Sequence, residues 1–107
     1  MVHVLTISMQ FIYQHLFSIH ISIGSNQIET SKIFILHGAD LDARDMLLET
    51  PLHYATSRNL VEATLFAIEN GASITVRNDV RNTPLESAID AKGIETMKTF
   101  LSFEHFK

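Results

Sequence analysis

The chain repeats part of its own sequence after 33 residues. The triplet Thr50-Pro51-Leu52 returns as Thr83-Pro84-Leu85, and the same offset relates Gly38-Ala39 to Gly71-Ala72. Weaker columns carry the period towards the amino terminus: Ile19, Leu52 and Leu85; Ile28, Val61 and Ile94; Glu29, Glu62 and Glu95. A period of this length is typical of solenoid proteins, in which each unit buries its apolar side against its neighbours.

Each unit predicts a short helix, a tight turn and a second helix. Thr50 is a favourable N-cap, and the proline after it stands where a helix needs no backbone N–H donor. The first helix is therefore predicted near 51–58, and Asn59, which tolerates a left-handed backbone, makes the turn. The second helix is predicted near 60–70, and Gly71 ends it.

Two further patterns refine this prediction. Val61, Leu65 and Ile68 recur at helical spacing, so this stripe of the second helix is predicted to face a neighbouring unit. In the third unit, Thr83 is followed three residues later by Glu86. This spacing predicts a capping box, in which each side chain accepts a hydrogen bond from the backbone N–H of the other residue.

The signature T-P-L-H-x-A within a 33-residue period resembles the ankyrin repeat. The match is specific in 38–70 and good in 71–103, where the signature reads T-P-L-E-S-A. It is degenerate in 5–37, where F-S-I-H-I-S replaces the signature, and 104–107 form a short tail. The resemblance predicts one ankyrin-repeat domain over 1–107.

The resemblance implies an all-α fold, an ankyrin-type helix-turn-helix solenoid with projecting β-hairpin-like loops. Members of the family generally have no catalytic site. They bind partner proteins along a concave surface, which the loop tips and the exposed side of the first helices make together. The expected function is therefore a protein–protein interaction module rather than an enzyme.

Ten residues occupy the positions that contact partners in the family. They are Met46, Leu47, Glu49, Ser57 and Arg58 in the second unit, and Asp79, Val80, Asn82, Asp90 and Ala91 in the third. Met46 and Leu47 would form an exposed apolar tip, and Arg58 would be an anchor of a second kind. The alternative is that these loops pack on each other.

Leu48 and Arg81 stand where family members carry a loop glycine. If the backbone keeps the positive φ of that glycine, a side chain with a Cβ costs roughly 1 kcal/mol at each position. This departure from the family pattern predicts two strained loop residues, one in each of the better repeats.

Composition and spacing narrow the function further. The chain has no cysteine, which excludes disulfides and thiol nucleophiles and fits an intracellular location, cytoplasmic or nuclear. The net charge is −4 and the basic residues are scattered, which argues against a nucleic-acid partner. His20 and His53 lie one unit apart, too far to share a metal ion, and the resemblance makes His53 structural. No cofactor, metal, small-molecule substrate or catalytic motif is predicted.

The two ends of the chain leave alternatives open. The first 28 residues contain no Asp, Glu, Lys or Arg, but polar residues interrupt the apolar stretch that a membrane span requires. Membrane association through 1–23 is the less favoured alternative. Terminal repeats need polar outer faces, whereas the tail from Phe100 to Phe106 is apolar. The chain is thus also compatible with a segment of a longer array that has no binding surface of its own, or with a protein that needs a partner at one end.

Overall fold

The computed structural model describes residues 19–105. They form six helices: α1, whose described part is 19–24, α2 (Ile28–Leu36), α3 (Pro51–Ser57), α4 (Val61–Glu69), α5 (Pro84–Asp90) and α6 (Ile94–His105). No strand occurs in this part of the chain, so the all-α prediction is confirmed. The predicted helices near 51–58 and 60–70 are α3 and α4.

The helices stack in two rows. α3 packs on α5, and α4 packs on both α2 and α6, while α3 pairs with α4 and α5 with α6. The first helices of the units therefore form one row and the second helices the other, as in a helix-turn-helix solenoid. Residues 5–18 of the degenerate unit lie outside the described range. Its bounds, and the unit boundaries at 38 and 71, stay predictions.

The amino-terminal ends of α3 and α5 are each capped by two reciprocal hydrogen bonds. Thr50 Oγ1 accepts the N–H of His53 at 3.4 Å, and the Thr50 N–H donates to Nδ1 of His53 at 3.1 Å. The Thr83 N–H donates to Oε1 of Glu86 at 2.9 Å, and the Glu86 N–H donates to Thr83 Oγ1 at 3.3 Å. The capping-box prediction is confirmed, and the bond from the Thr83 N–H is the main reason that the pKa of Glu86 lies below its usual value.

The turns between paired helices use a left-handed residue, as predicted for Asn59. Asn59 has a φ of 56° and Asn26, one unit earlier, a φ of 60°. In the third unit Lys92 takes the same conformation with a φ of 58°. Gly71, which follows α4, has a φ of 92° and confirms the predicted helix end.

The neighbour-facing stripe on α4 differs from the prediction. Leu65 is 38% exposed and contacts no neighbouring core, although Ile68 does pack against the core. The residues that α4 buries are small: Ala63, Thr64 and Ala67. The physical reason is that α4 lies between α2, α3 and α6, where close approach of helices favours small side chains.

Histidine side chains join successive units. Nε2 of His20 donates to the carbonyl oxygen of Glu49 at 2.8 Å, and Nε2 of His53 donates to that of Asn82 at 2.9 Å. Both bonds span 29 residues. The predicted structural role of His53 is therefore confirmed.

Asparagine side chains join the second helices in a parallel way. Oδ1 of Asn26 accepts the N–H of Ala63 at 3.0 Å, in the first turn of α4. Oδ1 of Asn59 accepts the N–H of Thr96 at 3.3 Å and its hydroxyl at 2.6 Å, in the first turn of α6. Each left-handed asparagine thus satisfies a helix N–H of the following unit, which would otherwise lack a partner.

Candidate functional site

The loop between α2 and α3 ends in a tip formed by Met46 and Leu47. The backbone reverses direction here because the N–H of Asp45 donates to the carbonyl of Glu49 at 3.0 Å. The N–H of Leu48 donates in turn to the carbonyl of Asp45 at 3.0 Å, and Leu48 has the predicted positive φ, at 59°. The loop is hairpin-like in its backbone bonding although neither of its sides forms a strand.

An acceptor side chain fixes each loop from inside. Oδ1 of Asp45 accepts the N–H groups of Leu47 and Glu49, both at 2.9 Å. Asn78, one repeat later, accepts the two corresponding N–H groups of its own loop at 3.1 and 3.0 Å. Arg81 has a φ of 67°, so the second predicted left-handed residue is also confirmed. Both loops are therefore held in one backbone conformation by local hydrogen bonds.

Tyr54 ties the first of these loops to α3. Its hydroxyl donates to Oδ2 of Asp45. Burial, supported by the bond to the Asp45 carboxylate, raises the pKa of Tyr54 to about 12. Burial alone would also raise the pKa of Asp45, but hydrogen bonds from Tyr54 and from the N–H groups of Glu49 and Leu47 outweigh it and lower that pKa. At neutral pH the pair is thus a neutral phenol bonded to a carboxylate.

Arg58 lies on the same aromatic ring. Its guanidinium carbon is 5.1 Å from the centroid of the Tyr54 ring, which is a cation–π distance. The His20 ring meets the Tyr54 ring edge-on, with 5.1 Å between centroids. Arg58 follows the carboxyl end of α3, about 10 Å along the helix from its start, so it lies at the far end of α3 from the loop.

The two loop tips lie side by side. The N–H of Asp79 donates to the carbonyl oxygen of Leu47 at 2.9 Å, so the loops do contact each other through their backbones. Their apolar side chains nevertheless stay accessible: Met46 is 94% exposed, Val80 67% and Leu47 54%. We name these three side chains, Met46, Leu47 and Val80, the tip surface.

Three of the other predicted residues bond within the fold. Oε2 of Glu49 accepts Nδ2 of Asn78 at 3.1 Å, and the Glu49 carbonyl accepts His20. Nδ2 of Asn82 donates to Oδ2 of Asp90 at 2.7 Å. These groups stabilise the loops and the end of α5, and are less free to meet a partner than the tip surface.

The structure divides the ten predicted residues into two places. The loop residues lie together at the tips: Met46, Leu47, Glu49, Asp79, Val80 and Asn82. The others lie at or just after the carboxyl ends of α3 and α5: Ser57, Arg58, Asp90 and Ala91. All four of these are exposed, and the hydroxyl of Ser57 donates to the Tyr54 carbonyl at 3.2 Å.

Comparison with known families decides the identity of the fold. The model described as "Ankyrin repeats (3 copies)" matches residues 17–106, which include every described helix. The chain belongs to the ankyrin-repeat family. Ankyrin repeats generally serve as protein–protein interaction modules, and the family is typically non-enzymatic. A comparison with curated proteins finds no match to this ankyrin-repeat chain.

The described part of this ankyrin-repeat chain contains neither a candidate metal site nor a candidate membrane span. Between residues 19 and 105, no three His, Asp or Glu side chains come together in a way that could hold a metal ion. In the same range, no helix is both long and apolar enough to cross a membrane. Residues 1–18, which carry most of the membrane alternative, lie outside the described part.

Asp45 and Tyr54 are site residues that the sequence analysis missed. The signal for Asp45 is local, since an aspartate early in a tight loop commonly accepts the N–H two residues later. The partnership with Tyr54 has no such signal. It joins residues nine positions apart and exists because the ankyrin loop folds back against α3.

Proposed function

We propose that this ankyrin-repeat chain binds a partner protein through the tip surface and the exposed ends of its first helices. The observation that carries the proposal is the combination of exposed apolar side chains with a fixed backbone. Met46 and Leu47 project from a loop that is held by the Asp45 carboxylate and, through it, by Tyr54. Exposed apolar side chains on a surface loop are typical of contact sites.

A fixed loop favours binding because little conformational entropy is lost when a partner orders it. Met46 and Leu47 supply apolar contact area, and Val80 extends it to the next loop. Arg58, held over the Tyr54 ring, is the second proposed anchor, since arginine is enriched among residues that dominate binding energies. We assign the other exposed candidates to the rim of the contact: Ser57, Asp79, Asp90 and Ala91.

Glu49 and Asn82 have a different role in this proposal. Their polar groups already bond to neighbouring repeats and to Asp90, so they position the two tips rather than contribute contact energy. We also propose an intracellular location, cytoplasmic or nuclear, for the interaction, which the absence of cysteine supports.

A paired-variant capture experiment tests the proposal. The double variant Met46→Ser/Leu47→Ser should fold with an unchanged melting temperature but lose the proteins that the wild-type chain captures from a cell extract, as measured by quantitative mass spectrometry. The matched control is Ile33→Ser/Leu36→Ser, which removes two exposed apolar side chains of α2, in the other row of helices.

The control variant should capture the same proteins as the wild type. If the folded tip variant also captures them, the tip surface is not the binding site. The alternative of a structural segment without its own binding surface would then be favoured.

A further inference from the structure

The outer side of the third helix pair carries exposed apolar residues at positions that are more buried in the unit before it. Ile89 is 50% exposed, Ile94 60% and Leu101 64%. One repeat earlier, the residue equivalent to Ile89 is Thr56, which is fully buried, and the equivalents of Ile94 and Leu101 are only partly exposed. We name Ile89, Ile94 and Leu101 the end face. It is the side on which α3 and α4 meet their neighbours α5 and α6.

The end face lacks the polar groups that join one repeat to the next. Glu86 stands where His53 donates to the next loop, and a carboxylate has no proton to donate there. Lys92 stands where Asn59 accepts from the first turn of α6, and an ammonium group accepts nothing.

A third joining group is also lost at this side. Oδ1 of Asp42 accepts the N–H of Ser73 in the following unit at 2.8 Å, and Thr75 replaces Asp42 one repeat later. A further helix pair in the same register would also place the positive start of its second helix beside Lys92. The end face is therefore poorly suited to another repeat of this kind, although its apolar side chains call for a cover.

The charged residues around the end face are instead complementary to those of a second end face that runs in the opposite direction. Glu86 lies three residues before Ile89, in the first turn of α5, and Lys92 lies three residues after Ile89, in the turn that follows α5. Both residues occupy positions that face the next unit, because their equivalents His53 and Asn59 both bond to it. Oε1 of Glu86 already accepts from the Thr83 N–H at 2.9 Å and from Arg77 at 3.2 Å, so a contact with a second copy uses Oε2. On α6, Ile94 and Leu101 are two helical turns apart.

We propose that the end face binds a second copy of this chain about a two-fold axis that passes near Ile89. The two α5 helices then run antiparallel, so Glu86 of each copy meets Lys92 of the other, and Ile94 meets Leu101. The helix dipoles oppose each other, which is the favourable arrangement. Because such an interface is isologous, each of these contacts is made twice. The face is small, so the dimer is weak and its population depends on the protein concentration.

Sedimentation of the full chain tests this dimer. Over roughly 5–500 µM, the wild type should pass from monomer to dimer, and Ile94→Lys or Leu101→Lys should raise the dissociation constant at least about tenfold. Both residues are largely exposed in the single chain, so their replacement should not unfold it. Leu36→Lys, at an exposed apolar position on α2, is the control and should dimerise like the wild type.

A charge variant tests the antiparallel arrangement. Lys92→Glu should weaken the dimer by a similar factor, because two carboxylates would then meet. Lys92→Arg keeps the positive charge and should dimerise like the wild type. A wild type that stays monomeric at the highest concentration, or a dimer that Ile94→Lys and Lys92→Glu leave unchanged, overturns the proposal. Met46→Ser/Leu47→Ser should not affect the dimer. Loss of the dimer in that variant would place the contact at the tip surface instead.

Discussion

Tyr54 holds the geometry of the candidate site through a single hydroxyl. The phenol is partly buried, donates to Asp45, and carries both Arg58 and His20 against its ring. Ionisation of this hydroxyl would place two negative charges side by side and remove the donated hydrogen bond. Burial, supported by the bond to the Asp45 carboxylate, therefore favours the neutral phenol in the folded state and raises the pKa of Tyr54 to about 12.

Alkaline titration should reveal this coupling. The chain has two tyrosines, so the difference between the wild type and Tyr54→Phe in tyrosinate absorbance isolates Tyr54. That difference should titrate near 12 rather than near the ordinary value of 10. Since the pKa is raised by folding, the stabilisation is complete below pH 10 and is lost as the pH rises towards 12.

The variant Asp45→Asn is the informative control for this titration. It removes the carboxylate charge but leaves the burial of the phenol, so the pKa of Tyr54 should fall part of the way back towards its ordinary value. An ordinary pKa in the wild type would show that the Tyr54 hydroxyl is neither buried against the loop nor bonded to Asp45, and a pKa that Asp45→Asn leaves unchanged would show that the bond contributes nothing to the shift.

Some residue-scale features follow from sequence and others do not. The positive φ of Leu48 and Arg81 was predictable because both replace a glycine within a recognisable repeat. Hydrogen bonds elsewhere in each loop fix the turn, so Leu48 and Arg81 keep the strained left-handed backbone conformation. The Tyr54–Asp45 bond was not predictable, since no local pattern specifies which loop group the tyrosine hydroxyl meets.

The helices α3 and α5 show how one position changes the role of a whole element. Both begin with Thr-Pro-Leu, and both are capped by the side chain three residues after the threonine. In α3 that residue is His53, which caps with one ring nitrogen and reaches Asn82 with the other. In α5 it is Glu86, whose carboxylate caps the helix and binds Arg77 within the same unit, at 3.2 Å.

Exchange of these residues should therefore have unequal effects. His53→Glu can keep the cap on Thr50, but it strands the Asn82 carbonyl and buries a carboxylate, so the free energy of unfolding should fall by at least about 2 kcal/mol. The reverse change, Glu86→His, keeps an acceptor for the Thr83 N–H and should alter stability much less. Urea unfolding of both variants measures the difference. Equal losses would show that the cap, and not the bond to the next loop, is what His53 contributes.

At the scale of the whole molecule, the repeated features were predictable and the unequal ones were not. The period, the caps and the turns at Asn59 and Gly71 are written in local sequence, and the stack of helix pairs follows from them. Burial is set by neighbours instead. Leu65 is exposed although its spacing matches the predicted stripe, because α4 buries the side that carries Ala63, Thr64 and Ala67. Ile89 is exposed because, among the described helices, α5 packs on α3 and α6 and none lies over its other side.

Coupling between units should be separable by removing one asparagine. Asn59→Gly keeps the left-handed turn, which glycine adopts freely, but deletes both bonds to the buried Thr96. The free energy of unfolding should fall by about 1–3 kcal/mol, and hydrogen exchange should lose protection in α6 more than in α2. Lys92→Gly, measured at dilute monomer concentration, is the matched control. It changes a residue of nearly the same φ at which no described side-chain bond crosses to another unit, so α6 should keep its protection. Equal loss in both variants would mean that the turn conformation, and not the asparagine bond, couples the second and third repeats.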